Sequence, residues 1–160
     1  MKTAKTLFKI TAYLLAGIAL TVILPFTVWA ILHDSPDLAD TMESNWSIVL
    51  PDESGWKEVY HADSGVSFHG DGERYHIVIY EQEDMIENMV AWSAEERKTR
   101  WHDSYQSAID EWISYTDAES NMHPVYDACM YWYQQDSDGS EIIMCWNKAE
   151  AKIYIAEFFM

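Results

Sequence analysis

Cysteine is nearly absent from this chain, with two in 160 residues, and basic residues are scarce, with ten Lys and Arg against 27 Asp and Glu. Glycine and proline are also few, at six and four. Each shortage excludes something. Cys129 and Cys145 are too far apart in sequence for a C-x-x-C redox motif. The few glycines build neither a phosphate-cradling loop nor a G-x-S-x-G nucleophile turn. So little positive charge excludes nucleic acid as a partner, because an acidic surface and a phosphate backbone repel one another. No internal repeat and no low-complexity tract is present. Long apolar runs are scarce too: there is one.

That run is ITAYLLAGIALTVILPFTVWAIL, residues 10–32, without a charged side chain across 23 positions. About 20 apolar residues are what a helix needs to cross a bilayer. Lys2, Lys5 and Lys9 precede it and Asp34, Asp37 and Asp40 follow, which predicts a cytoplasmic N-terminus (residues 1–9) and an extracytoplasmic remainder. The run is longer than a signal-peptide core, and Trp29 suits the membrane interface, so it reads as a single-pass anchor in the cell membrane. Val28-Trp29-Ala30 also fits a cleavage site, after which the domain would be secreted. All three N-terminal lysines lie before the span, so residues 34–160 hold seven basic residues against 27 acids, a formal charge of −20. Such a domain attracts cations, basic peptides and basic protein surfaces. Its 127 residues suffice for one compact domain, and eight Trp and ten Tyr argue against disorder.

Residues 33–45 read as a polar juxtamembrane segment, either a linker or a short helix started by Ser35 and Pro36. The domain then spans 46–160. Short strands are expected at 46–50, 56–62, 65–70 and 74–82, the last apolar on both faces and therefore central. Residues 83–92 form a helical turn or two. Ser93-Ala94-Glu95-Glu96 has the pattern of a capping box. Trp101, Tyr105, Ala108, Ile109, Trp112 and Ile113 follow at helical spacing and form one apolar stripe. Strands over 125–134, 141–147 and 151–160 complete the chain. Strands, a long helix, then strands predict an α+β fold: an antiparallel sheet of six to seven strands, two meanders with the helix packed on one face. With a hairpin turn centred on Ser137, Cys129 faces Cys145, and a disulfide there would stabilise by about 3 kcal/mol. Two buried free thiols are the alternative.

The stretch of most chemical interest is Asp63 to Gly72, DSGVSFHGDG, with His61 and His76 on flanking strands. A neutral imidazole with carboxylates binds a divalent transition metal or serves as a general base. His69 and Asp71 are the expected metal pair, with Asp63 and Phe68 beside them as binding residues. An ordinary hairpin turn explains the same residues. Asp136 to Glu141 shares part of a calcium-loop pattern but lacks its full spacing, so an Asp-Gly turn accounts for it. Ser67-Phe68-His69-Gly70-Asp71-Gly72-Glu73 resembles an F-H-G-D-G pattern of small membrane-anchored bacterial proteins; the resemblance implies a recurring site or turn and no particular activity. Three functions fit: a non-catalytic membrane-tethered binding domain, a metal sensor or hydrolase built on His69 and Asp71, and an accessory subunit of a membrane complex.

Overall fold

The computed structural model describes residues 37–51, 55–65 and 71–160. The expected anchor over 10–32, the expected strand over 65–70, Phe68 and His69 lie wholly or largely outside the described residues. Among the described residues no helix is long and apolar enough to cross a membrane.

Leu38–Met160 forms an α+β unit around one five-stranded antiparallel sheet. Its elements are α1 (Leu38–Trp46), β1 (Trp56–Asp63), β2 (Gly72–Tyr80), α2 (Glu83–Glu87), α3 (Tyr105–Tyr115), β3 (Cys129–Gln135), β4 (Glu141–Asn147) and β5 (Lys152–Phe159). The sheet order is β1-β2-β5-β4-β3. β2 is interior, as its two apolar faces require.

Among the described residues the sheet has five strands, and residues 46–50 do not supply the one expected of them. Leu38, Thr41, Met42 and Trp46 are buried along one stripe of α1. Ser47 then adopts a left-handed conformation (φ 57°), and the Ile48 amide returns to the Met42 carbonyl at 3.1 Å. Beyond it Ile48 and Leu50 are buried while Val49 is 69% exposed. The alternation is that of a strand, but the segment lies across one sheet face as a layer instead of adding to an edge. α1 and residues 46–50 pack on Val78, Tyr80, Ile142, Met144, Trp146, Ile153 and Ile155. α3 packs through Tyr105, Ala108, Ile109, Trp112 and Ile113 on the opposite face, against Tyr75, Ile77, Ile143, Cys145, Tyr154 and Ala156. Both faces are therefore covered, not one. Every residue of β4 is buried.

α3 is also shorter than its stripe suggested. Ser93 does not cap a helix: it pairs with Tyr131 by backbone bonds of 2.9 and 2.7 Å, and its hydroxyl accepts the Glu95 amide. Residues 94–104 are mostly polar and have too little apolar surface to dock a longer helix. Trp101 is 56% exposed and stands outside the stripe. The capping box is Ser104 with Ser107, each hydroxyl accepting the other's amide at 3.0 and 3.2 Å. Glu96 instead reaches the Gln106 amide from outside.

The β3–β4 hairpin corrects the cysteine geometry. Gln135 pairs with Glu141, so the turn is centred on Asp138, where Gly139 supplies a left-handed residue (φ 102°). Asp136 and Asp138 accept the Ser137 and Ser140 amides, the behaviour of a turn. Cys129 therefore faces Asn147 and Cys145 faces Tyr131. The expected direct opposition is displaced by two residues, and both buried thiols are unbonded in this structure.

The two serines make a test of the cap. Ser104→Ala removes a hydroxyl that satisfies a helix-end amide and should destabilise the domain by about 1 kcal/mol in denaturant unfolding. Ser93→Ala keeps its backbone bridge and should lose only a few tenths as much. Equal losses would restore Ser93 as the cap.

Candidate metal centre

A bulge in β1 builds the site. The pairing runs Glu58 with Val78, Tyr60 with Ile77 and His61 with His76, leaving Val59 as the extra residue. On a regular strand Glu58 and His61 point to opposite faces. The extra residue brings both to the face that carries Val78 and His76. His61 stands opposite His76, their rings stacked with centroids 4.6 Å apart at 21°.

His76 is buried between two carboxylates. Its Nδ1 is 2.6 Å from Glu58 Oε1. Its Nε2 is 3.2 Å from Glu157 Oε2, in ion-pair contact but not aligned as a hydrogen bond, so both atoms are buried without a hydrogen-bond partner. Glu157 is fully buried in β5, and its Oε1 accepts the Trp46 indole N–H at 2.5 Å. The other end of the group meets solvent: His61 and Glu58 side chains are 44% and 30% exposed. Asp63 lies on the rim, with Oδ2 3.6 Å from His61 Nε2.

Donor atoms of Glu58, His61 and His76 lie within 4.8 Å of one another. Two imidazoles and one carboxylate are a donor set for zinc and its first-row neighbours. Ligands about 2.0–2.1 Å from a tetrahedral ion stand about 3.3 Å apart, so the Glu58–His76 pair would open by under 1 Å and His61 would close in. Glu157 fills the supporting role: a carboxylate against the far imidazole nitrogen orients the ring and leaves Nδ1 toward the ion. Trp46 fixes that carboxylate in turn. The exposed side would leave an ion held there open to water or a ligand.

The two histidines are driven apart in basicity. Burial works against a charged His76, but the carboxylates of Glu157 and Glu58 outweigh it and raise its pKa above 6.5. Burial and then the neighbouring His76 lower that of His61, against the smaller pull of Glu58 and Asp63. The shifts make His61 the easier of the two to deprotonate, and at His76 an ion has to compete with a proton that the two carboxylates favour.

Of the residues singled out in the sequence, Asp63 reaches the rim, where it also accepts the Gly65 amide. Asp71 is exposed and stands outside the Glu58–His61–His76 group; with Ser64, Gly65, Gly72 and Glu73 it lines a cavity of about 560 Å³. His61 and His76 were legible as flanking histidines. Glu58 and Glu157 were missed. A bulge cannot be seen in residue spacing, but the lone acid in the apolar run of β5 was a usable signal, because a buried carboxylate must find partners. Comparison of the chain with protein-family models, curated proteins and solved structures finds no match.

The opposite shifts set a stability profile for the metal-free protein. His76 has a raised folded pKa, so its contribution is complete below 6.5 and is lost as pH rises through that pKa. His61 has a lowered folded pKa, so its part is present above 6.5 and is lost as pH falls. In chelator, the denaturation midpoint should peak near the ordinary histidine range. His76→Gln should remove the decline on the alkaline side; an unchanged decline would show that other groups cause it.

Proposed function

We propose that this protein is a membrane-tethered domain that binds a divalent transition metal at Glu58, His61 and His76, outside the cytoplasm. The observation that carries the metal reading is the bulge-built convergence of these three donors on a buried carboxylate, Glu157, whose oxygen toward His76 has no hydrogen bond. The tether rests on the sequence: an uncharged run over 10–32 with lysines before it and acids after it. Metal capture, with one coordination position facing solvent, suits a sensor or carrier. The same position suits a hydrolytic water, so hydrolysis is the second chemistry to assay.

The test uses the full chain in neutral detergent, stripped of metal, with zinc or cobalt added. An ion that binds only the native state raises Tm, by roughly 10 °C at about a hundredfold above its Kd. His61→Ala should abolish the rise, and His69→Ala should leave it. Trp46→Phe, which frees Glu157 of its indole donor, should weaken binding about tenfold. Loss in His69→Ala but not in His61→Ala would move the site to the F-H-G-D-G stretch. No rise with any first-row ion would end the metal reading.

A further inference from the structure

On the opposite face of the sheet, α3 and the end of β5 enclose a second cavity, of about 240 Å³. Its wall is aromatic. Trp112 and Phe158 stack at 5.9 Å with an interplanar angle of 15° and form the floor. Trp101 and Tyr115 stand at the rim, 56% and 57% exposed, two of the largest exposed apolar surfaces among the described residues. Two carboxylates complete it: Glu73 from β2 and Glu111 from α3.

The charge is one-sided. No Lys or Arg lines the cavity, and neither carboxylate is paired with one among the described residues. Glu111 is held in place by its neighbours: Oε2 is 3.2 Å from His102 Nε2 and Oε1 is 3.4 Å from the Tyr115 hydroxyl. His102 is fixed by Thr99 and stands edge-on to Trp112. The Trp101 ring already receives a cation on one face, since the Arg100 guanidinium lies 4.6 Å from its centroid. A small aromatic hollow with two carboxylates, Glu111 held in place, and no Lys or Arg in its lining selects an ammonium head: ring faces attract it through their quadrupole and the carboxylates neutralise it.

We infer that this groove is a docking site for a lysine side chain on a basic polypeptide partner. The volume holds one side-chain head and no large ligand. The formal charge of −20 over residues 34–160 draws a basic chain toward the surface, and the groove supplies the specific contact. Trp101 and Tyr115 are residue types that anchor protein interfaces. The site shares no residue with the metal centre and stands or falls without it.

The experiment titrates the full chain in neutral detergent with a blocked pentalysine peptide, by calorimetry at two salt concentrations. The control peptide is the same sequence acetylated on every lysine. Pentalysine should bind and the acetylated peptide should not. Trp101→Ala and Glu111→Gln should each weaken binding by about three- to tenfold. Glu81→Gln, which removes one exposed acid at the far end of β2, should change it less than twofold. Equal losses in Glu81→Gln and Glu111→Gln would reduce the effect to general charge attraction and overturn the site. So would full binding by Trp101→Ala, or no binding of pentalysine. Binding of phosphocholine, lost in Trp101→Ala, with none of pentalysine would replace the polypeptide by a lipid headgroup. Trp101 is largely exposed, so its variant should keep the unmodified protein's Tm.

Discussion

A fully buried carboxylate at the centre of a sheet covered on both faces is the constraint to which much of this domain answers. Glu157 would be intolerable there alone, since an uncompensated buried charge costs several kcal/mol. Trp46 supplies a hydrogen bond at 2.5 Å and His76 an imidazole nitrogen at 3.2 Å, whose protonated form the carboxylate favours. α1 must therefore lie across that face with its last residue over β5, and β2 must pair with β5 in the register that sets Arg74 against Glu157 and His76 two positions further along. The Val59 bulge then adds Glu58 and His61 to the group. Burial, hydrogen bonding and the donor set of the candidate centre are one arrangement.

The two-residue period of the strands lets one sheet carry two unrelated chemistries. Glu157 and Phe158 are neighbours in sequence but face opposite layers: the acid serves the histidines under α1, and the phenyl ring stacks on Trp112 under α3. At the neighbouring end of β2, Glu73 opens to the groove while His76 turns to the metal face. The intervening sheet is backbone with a mainly apolar layer of side chains on each side. A ligand on one face has no direct contact with the other, so coupling between them would have to pass through a shift of β2 or β5 themselves.

The fold class, β1, β2, the three C-terminal strands and the α3 stripe were legible because each is written in local periodicity. Three features were not. WSIVL alternates as a strand does, but whether an alternating segment joins an edge or lies across a face depends on what the edge offers, and Ser47 redirects it. Ser93 has the composition of a cap, yet tertiary pairing with Tyr131 claims its backbone, and the helix starts where the apolar residues resume, at Tyr105. The hairpin centre moved by one residue to Asp138, and that slip turns the cysteines from directly opposed residues into diagonal neighbours. At the site, His61 and His76 stood out as residue types. Glu58 stayed hidden because a bulge changes which residues share a face without changing the residues themselves. Glu157 could have been found by asking what an acid does in the run KIYIAEFF.

The strand order has a consequence for how the centre comes into being. β1 and β2 are joined by a short connection and can pair early, bringing His61, His76 and Glu58 together. β2's inner neighbour, however, is β5: His76 lies beside Ile155. Closing a loop of nearly eighty residues carries an entropic penalty of about 4 kcal/mol before any contact offsets it. The inner edge of the β1–β2 hairpin is completed only by β5, the last strand in the sequence, which carries Glu157. The contact between His76 and Glu157 thus rests on the most non-local kind of pairing in the sheet, the kind that slows folding. All three donors lie on β1 and β2, so an ion bound to them before β5 docks would cross-link those two strands only, and Glu157 would reach the histidine afterwards.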